Sequence, residues 1–529
     1  MSEPFYVTTP IYYVNDEPHI GHAYTTVLAD VLARYARLRG VETFFLTGTD
    51  EHGQKVQEAA QRRGIDPQTQ ADEMVVHFQQ AWQRLHVACD DFIRTTEPRH
   101  VRVVQAILQD LWARDQIYLG AYEGWYCVPD ERFWTEKDLV DGRCPDCDRP
   151  VERLAEPNYF FRMSVHQGWL VDYIAAHPTF IRPETRRNEV LGFLRQPLGD
   201  LCISRPANRL SWGIPLPFDP AYVTYVWFDA LINYLTAAGY LADGARFAHL
   251  WPSAMHLIGK DILTTHSVYW PTMLHAAGLS QPRTIFAHGW WMVNGAKMSK
   301  SRGNVVKPLD LAAVYGVDAL RYFLIRDMAL GRDADFSVES LARRYRGDLA
   351  NDLGNLLHRL VHMVVRYCGG RIPAPTPTLP QLWGREKQDA GAAQSQPWGR
   401  EEAALRARCM SLVDQTFARV EALALNEALA GVMEAIGAIN RYLEQTAPWQ
   451  QARAGRPERV ATILYTAAEA LRLASILLQP VLPGQTAELW RRLGWQPPVP
   501  LREGLAWGRL QPGTQVVAGP PLFPLTPLS

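Results

Sequence analysis

The sequence predicts an α/β fold, a doubly wound parallel sheet interrupted by an inserted module and followed by a bundle of helices. Three observations predict it. Over the first 115 or so residues, short β-like runs alternate with helical ones, the pattern of parallel strands joined by crossover helices. From about Glu123 to Thr224, prolines, tryptophans and cysteines rise and helical periodicity fades. Beyond about Tyr345, apolar residues recur three and four apart, as on one buried helix face.

Phe5–Thr9 reads as the first strand, followed by a helix over His22–Leu38 with Leu28, Leu32, Tyr35 and Leu38 on one face. Glu42–Thr47 is a second strand, and helical stretches follow from about Lys55 and over Arg99–Arg114. Ligands of such sheets sit at the carboxyl ends of the strands. The turns Pro10–Pro18 and Gly48–Gly53 should therefore face one crevice. The α/β pattern resumes at Tyr225–Asp229 and His256–Asp261 and runs to about Asp327. Leu349, Leu353, Leu356, Leu357, Leu360 and Val364 open the helical part, and similar stripes run through Leu405–Leu443 and Val460–Leu478. Between the first two of these stripes, Ile372 to about Arg400 reads as a loop or hinge, in which Trp-Gly-Arg-Glu occurs at Trp383–Glu386 and Trp398–Glu401. The expected organisation is a Rossmann-type domain in two halves, 1–118 and 225–328, around an inserted module, 119–224. A connection, 329–345, leads to a helical domain, 346–515, and an extended tail, 516–529.

Composition narrows the function classes. Lys plus Arg number 54 and Asp plus Glu 55, a net charge of −1. A polyanionic partner would have to bind through a local basic surface, because no global field exists to attract it. No apolar stretch reaches the roughly 20 residues that span a bilayer, and Met1-Ser2-Glu3-Pro4 lacks the features of a secretory signal. Four of the seven cysteines (Cys89, Cys202, Cys368, Cys409) are scattered, as thiols in a reducing compartment would be. These observations point to the cytoplasm and to no membrane partner.

Two segments carry most of the chemistry. Pro18-His19-Ile20-Gly21-His22 follows a strand and opens a helix, where backbone N–H groups and the helix dipole make an anion site. His19 and His22 can donate to phosphate oxygens, and Gly21 leaves room for a nucleotide. Lys297-Met298-Ser299-Lys300-Ser301 reads as a loop after Ile285–Gly289, able to clamp a polyphosphate and neutralise developing charge. In the inserted module, Cys127 and Asp130 lie about a dozen residues before Cys144 and Cys147. That spacing suits a tetrahedral zinc knuckle, and a degenerate knuckle held by packing is the alternative. Asp50 is either part of a polar turn or a carboxylate facing the crevice to bind an ammonium. Trp227, Tyr234 and His266 are core aromatics or the lining of an apolar pocket. Asp261, at a strand end after Gly259-Lys260, is placed to bond a ribose hydroxyl. Asn355 and Arg359 share one helix face, and Trp449 follows a break at Ala447-Pro448. Such residues suit single-stranded RNA or simply a solvated face and a cap.

The two motifs in this order resemble the paired signature of class I aminoacyl-tRNA synthetases. With Tyr6–His22, Phe44–Gly53, Ser204–Pro217, Tyr225–Ala230, Ile258–Asp261, Lys297–Val306 and Asn355–Arg359, the chain closely resembles the bacterial-type methionyl-tRNA synthetases over nearly its whole length. The resemblance implies that His19, His22, Lys297 and Lys300 act in catalysis. Gly21, Gly259, Asp261 and Lys300 would hold ATP, brought with Mg2+. Ile11, Tyr13, Asp50, Trp227, Tyr234, Ile262 and His266 would bind methionine, with Asp50 on the α-amino group. Asn355, Arg359 and Trp449 would read the CAU anticodon of tRNA(Met), whose acceptor end receives the methionine. Cys127, Asp130, Cys144 and Cys147 would bind one structural Zn2+, although Asp130 replaces a usual ligand. A chain ending at Ser529 lacks the extra domain that some members use to dimerise, so a monomer is expected. A synthetase for isoleucine, valine or leucine would carry a larger insertion. A cysteinyl enzyme would place zinc in the amino-acid pocket, and a non-catalytic paralogue would not need the four His and Lys residues.

Overall fold

The computed structural model describes residues 3–128, 132–134, 136–145, 147–293, 295–297, 305–375 and 399–524. It divides into two compact units, Met1–Ala33 with Val41–Trp290, and Arg34–Gly40 with Trp291–Ser529.

The first unit opens with β1 (Phe5–Thr8), β2 (Tyr12–Tyr13), α1 (Ile20–Leu38, its last residues in the second unit), β3 (Thr43–Asp50), α2 (Gln54–Arg63), α3 (Pro67–Arg84), β4 (Asp91–Arg94) and α4 (Pro98–Ala113). Local chemistry sets these boundaries. Gly64, in the left-handed region with φ 69°, ends α2. Asp66 accepts from the Thr69 N–H at 3.0 Å and Pro67 takes the first helical position of α3. The inserted region contains β5 (Ile117–Cys127), β6 (Arg132–Trp134), β7 (Glu152–Phe161), α5 (Gln167–Ala176), β8 (Ile181–Arg182), α6 (Glu184–Phe193), β9 (Leu201–Cys202), β10 (Ser204–Pro206), β11 (Pro215–Leu216) and β12 (Asp219–Thr224). Then come α7 (Val226–Leu231), α8 (Asn233–Ala238), α9 (Gly244–Leu250), β13 (Ala254–Gly259), α10 (Trp270–Ala276) and β14 (Thr284–His288).

The main sheet has seven strands, β2-β3-β1-β13-β14-β8 with β4 also on β3, and every pairing is parallel. The chain winds outward from β1 to β3, then returns to the other side of β1 as β13. That reversal makes the β1–β13 boundary a switch point, where a crevice opens beyond the carboxyl ends. β1 is buried on both faces, with Tyr6, Val7 and Thr8 inaccessible. Each such apolar side chain contributes about 1.5–3 kcal/mol.

The reading of 119–224 as one uninterrupted insertion needs correction. Ile181–Arg182 returns to the main sheet as β8, and α5 and α6 flank it. Their weak amphipathicity hid both helices, since neither has a clear apolar stripe. The remainder is antiparallel: β6-β5-β7-β9 in one sheet and β10-β12-β11 in another.

The second unit contains β15 (Trp291–Val293), β16 (Ala296–Lys297), α11 (Pro308–Tyr315), α12 (Val317–Arg326), β17 (Ala334–Phe336) and α13 (Val338–Arg344). A π-helical turn, Tyr345–Gly354, leads into α14 (Asn355–Cys368), followed by α15 (Arg400–Glu421), α16 (Leu425–Thr446), α17 (Pro448–Arg453), α18 (Pro457–Leu478) and α19 (Pro483–Leu493). The expected connection 329–345 thus contains a strand, paired with β15, and a helix. The stripe from Leu349 to Val364 is buried at every position. Most of the 372–400 loop, including the first Trp-Gly-Arg-Glu copy, lies outside the described residues. Gly399–Glu401 of the second copy open α15.

Contrary to the expectation from the sequence, one helix does reach membrane-spanning length. Pro457–Leu478 has 22 residues and a mean hydropathy of 1.4 in its most apolar window, enough to cross a bilayer by length and composition. It is instead the core helix of its unit, 94% buried over that window. Its charges are paired inside: Arg472 donates to Glu469 at 2.6 and 2.8 Å, and Glu469 accepts from the N–H groups of Gly508, Arg509 and Leu510. The tail also departs from an extended surface strand, because Val516, Leu522 and Phe523 are buried.

Candidate active site

The first motif follows β2 and opens α1. Tyr12 ties this turn down: its O–H contacts Thr26 Oγ1 at 2.8 Å, while Thr26 donates to the His22 carbonyl at 3.0 Å. The His19 and His22 rings stack at 3.7 Å. The Gly21 N–H points at His19 Nδ1 (3.1 Å) and the His19 N–H at His22 Nδ1 (3.4 Å). Two amides expected to face an anion are therefore turned to imidazole nitrogens. A Cβ at Gly21 would approach His19 Cε1 to 2.9 Å, so the missing side chain also makes room for the His19 ring. With Nδ1 accepting in both rings, each proton belongs on Nε2, the nitrogen that can donate to a phosphate oxygen. Burial, and then His19, hold the His22 pKa well below its ordinary value. His22 is thus a neutral donor.

The expected pocket residues gather at the carboxyl ends of β1, β3 and β13. Ile11, Tyr13, Trp227 and Ile262 are half-buried and pack on the core that contains Tyr234. Tyr13 meets Trp227 edge-on at 6.4 Å, and Lys55 lies over the Tyr13 ring at 4.3 Å. Tyr13 is paired in register with Asp50, the buried last residue of β3. Tyr234 Oη and His266 Nε2 are 2.9 Å apart, while His266 Nδ1 faces the Ile262 carbonyl at 3.0 Å. The carbonyl can only accept, so Nδ1 carries the proton and Nε2 accepts from Tyr234 O–H. Burial lowers the His266 pKa to about 4, which keeps this acceptor neutral. Burial raises the Tyr234 pKa, and Asp50 adds to that rise.

Beyond β13, Gly259 precedes a short turn, Lys260–Ile262, in which Asp261 is exposed. A Cβ at Gly259 would run into Asp261 Oδ1. Trp290 Nε1 donates to that same oxygen at 3.1 Å, and Lys260 lies over the Trp290 ring at 4.1 Å. Asp261 is therefore steered by an indole that sequence reasoning missed. Other missed partners are His288, whose Nε2 meets Thr25 Oγ1 on α1 at 2.8 Å, and His256, between Thr8 (2.9 Å) and Trp270 (3.2 Å). His288 closes the Ile285–Gly289 strand that the sequence did mark, and that was its one signal.

For the knuckle, the Cys127, Cys144 and Cys147 sulfurs all lie within 4.8 Å of one another, Cys127 and Cys147 at 3.5 Å. Tetrahedral Zn–S bonds of about 2.3 Å place sulfurs about 3.8 Å apart, so these thiols fit zinc. Asp130 lies outside the described residues. So does Lys300 with its neighbours Met298–Asn304, and of Lys297 only the backbone, closing β16, is described.

In the helical unit, Asn355 opens α14 on its exposed face and Arg359 follows one turn on, half-buried and 3.7 Å from Glu444. Trp449 lies in the first turn of α17 after Ala447, whose φ of 42° makes the break read in the sequence.

The family model described as "tRNA synthetases class I (M)" matches residues 5–155 and 149–361, and that for the "anticodon binding domain of methionyl tRNA ligase" matches 393–524. The methionine–tRNA ligase of Caldanaerobacter subterraneus is 44% identical over 529 residues, covering 99% of this chain and 79% of its own. That of Streptomyces coelicolor is 43% identical, covering 99% and 97%. The solved Mycobacterium tuberculosis methionyl-tRNA synthetase in complex with methionyl-adenylate aligns with a TM-score of 0.90 at 39% identity, over 99% of this chain and 100% of that one. By its crevice, its matched residues and these relatives, the chain belongs to the methionyl-tRNA synthetases of class I.

Proposed function

We propose that this chain is an ATP-dependent methionine–tRNA ligase. The methionine carboxylate attacks the α-phosphate of MgATP, giving methionyl-adenylate and pyrophosphate. A ribose hydroxyl at the 3′ end of tRNA(Met) then takes the acyl group. The observation that carries this reading is the neutral Tyr234–His266 pair, joined at 2.9 Å beside Trp227, Tyr13 and the buried Asp50. It offers an apolar pocket with a polar floor and an adjacent carboxylate for an amine.

No side chain acts as a covalent nucleophile. Catalysis is positioning plus charge stabilisation, with His19 and His22 donating through Nε2 and Lys297 and Lys300 meeting the phosphates. Asp261 holds the ribose. The pocket discriminates by shape, where one methylene is worth about 1–3 kcal/mol, so homocysteine and norleucine are imperfectly rejected. Asn355, Arg359 and Trp449 read the CAU anticodon. The enzyme works in the cytoplasm.

Cys127, Cys144 and Cys147, with Asp130, hold one structural zinc. Atomic absorption should give one zinc per chain and none in Cys147→Ser. Charging assays test the whole reading. Methionine should enter tRNA(Met), and a changed anticodon should abolish charging. Charging with another amino acid, or indifference to the anticodon, contradicts it.

A further inference from the structure

We infer that Asp229, a residue with no assigned role, is the positioning residue that sets the methionine pocket through His52 and His100. This inference rests on the function proposed above.

Asp229 is inaccessible to solvent, as is His100, and His52 is nearly so. His52 Nδ1 lies 2.6 Å from Asp229 Oδ2, and His100 Nε2 lies 2.7 Å from Oδ1. Burial by itself would raise the pKa of this carboxyl, yet the two histidines bring it below the ordinary value. It is therefore an ionised acceptor, and both imidazoles must present N–H to it. One carboxylate thus joins three segments: the turn after β3, the start of α4, and α7.

The position of those segments gives the cluster its meaning. His52 lies two residues after Asp50, the carboxylate for the substrate amine. Asp229 lies two residues after Trp227, a wall of the pocket. The His52 turn is also held by Trp212, whose Nε1 donates to the Glu51 carbonyl at 2.5 Å and whose ring lies 5.3 Å from His52. With the two residues that follow Asp50 tied down, the separation between amine partner and pocket wall depends on Asp229. Asp229→Asn would turn an amide N–H toward one imidazole N–H. That bond must then break or the imidazole must take its other tautomer, and with the carboxylate charge gone the turn is held less firmly. Displacements of about 1 Å at such sites cost up to roughly a hundredfold.

The test is ATP–pyrophosphate exchange with methionine and ATP varied separately, alongside thermal melts. Asp229→Asn and His52→Ala should raise KM for methionine at least about tenfold, while KM for ATP changes less than about twofold. His52→Asn, whose amide N–H can replace Nδ1–H, should restore much of the loss. His52→Ala keeps the question answerable if Asp229→Asn does not fold. The inference is overturned if a folded variant keeps its methionine KM, if both KM values rise together, or if His52→Asn behaves like His52→Ala. Absence of methionine-dependent exchange in the unmutated chain would instead overturn the proposed function.

Discussion

The crevice and the exposed face of α14 make opposite arrangements for recognition. In the crevice, the side chains are bonded to one another in advance: Tyr234 to His266, Trp290 to Asp261, Thr25 to His288. On α14, Asn355 is exposed, and Arg359 stands 3.7 Å from a largely solvated Glu444. A small ligand is bound tightly when the site has lost its entropy beforehand. Single-stranded RNA presents splayed bases whose shape varies, and an adaptable face suits it.

The largest expected effect breaks catalysis and leaves recognition standing. Lys300→Ala should lower the exchange rate by roughly 10²–10³, with methionine binding, read by tryptophan fluorescence, unchanged. Next is acidification, which should act on the crevice. His266 has a pKa of about 4 in the folded chain, against about 6.5 unfolded. Between these values the unfolded state binds the proton first, so stability is full above about pH 6.5 and falls toward pH 4. This histidine accounts for about 3 kcal/mol of that fall, and urea unfolding across that range should show a shallower slope in His266→Gln. Arg359→Ala should weaken tRNA binding by about 1–3 kcal/mol while exchange without tRNA stays as it was, and slower exchange would break the comparison. The smallest effect belongs to Trp290→Phe, which removes one hydrogen bond to Asp261. KM for ATP should rise by an amount worth about 0.5–1.5 kcal/mol, with KM for methionine unaffected.

Much of this was legible in the chain. The strand–turn–helix at His19 and the stripe from Leu349 to Val364 follow from periodicity alone. Asp50 and Asp261 could be placed because strand ends in a parallel sheet face one crevice. What escaped was long-range or non-periodic. Strand β8 has two residues, too few to show a period, and pairs with β14 about a hundred residues away. Asp229 meets His52 and His100 across 177 and 129 residues, and no local pattern announces a buried carboxylate with two imidazole partners.

The most direct measurement is ATP–pyrophosphate exchange without tRNA, run with methionine beside cysteine, leucine and isoleucine. Exchange with methionine at least tenfold above any of the others is the predicted result. Exchange with a different amino acid, or none from folded protein that binds ATP, would contradict the assignment of the Tyr234–His266 pocket.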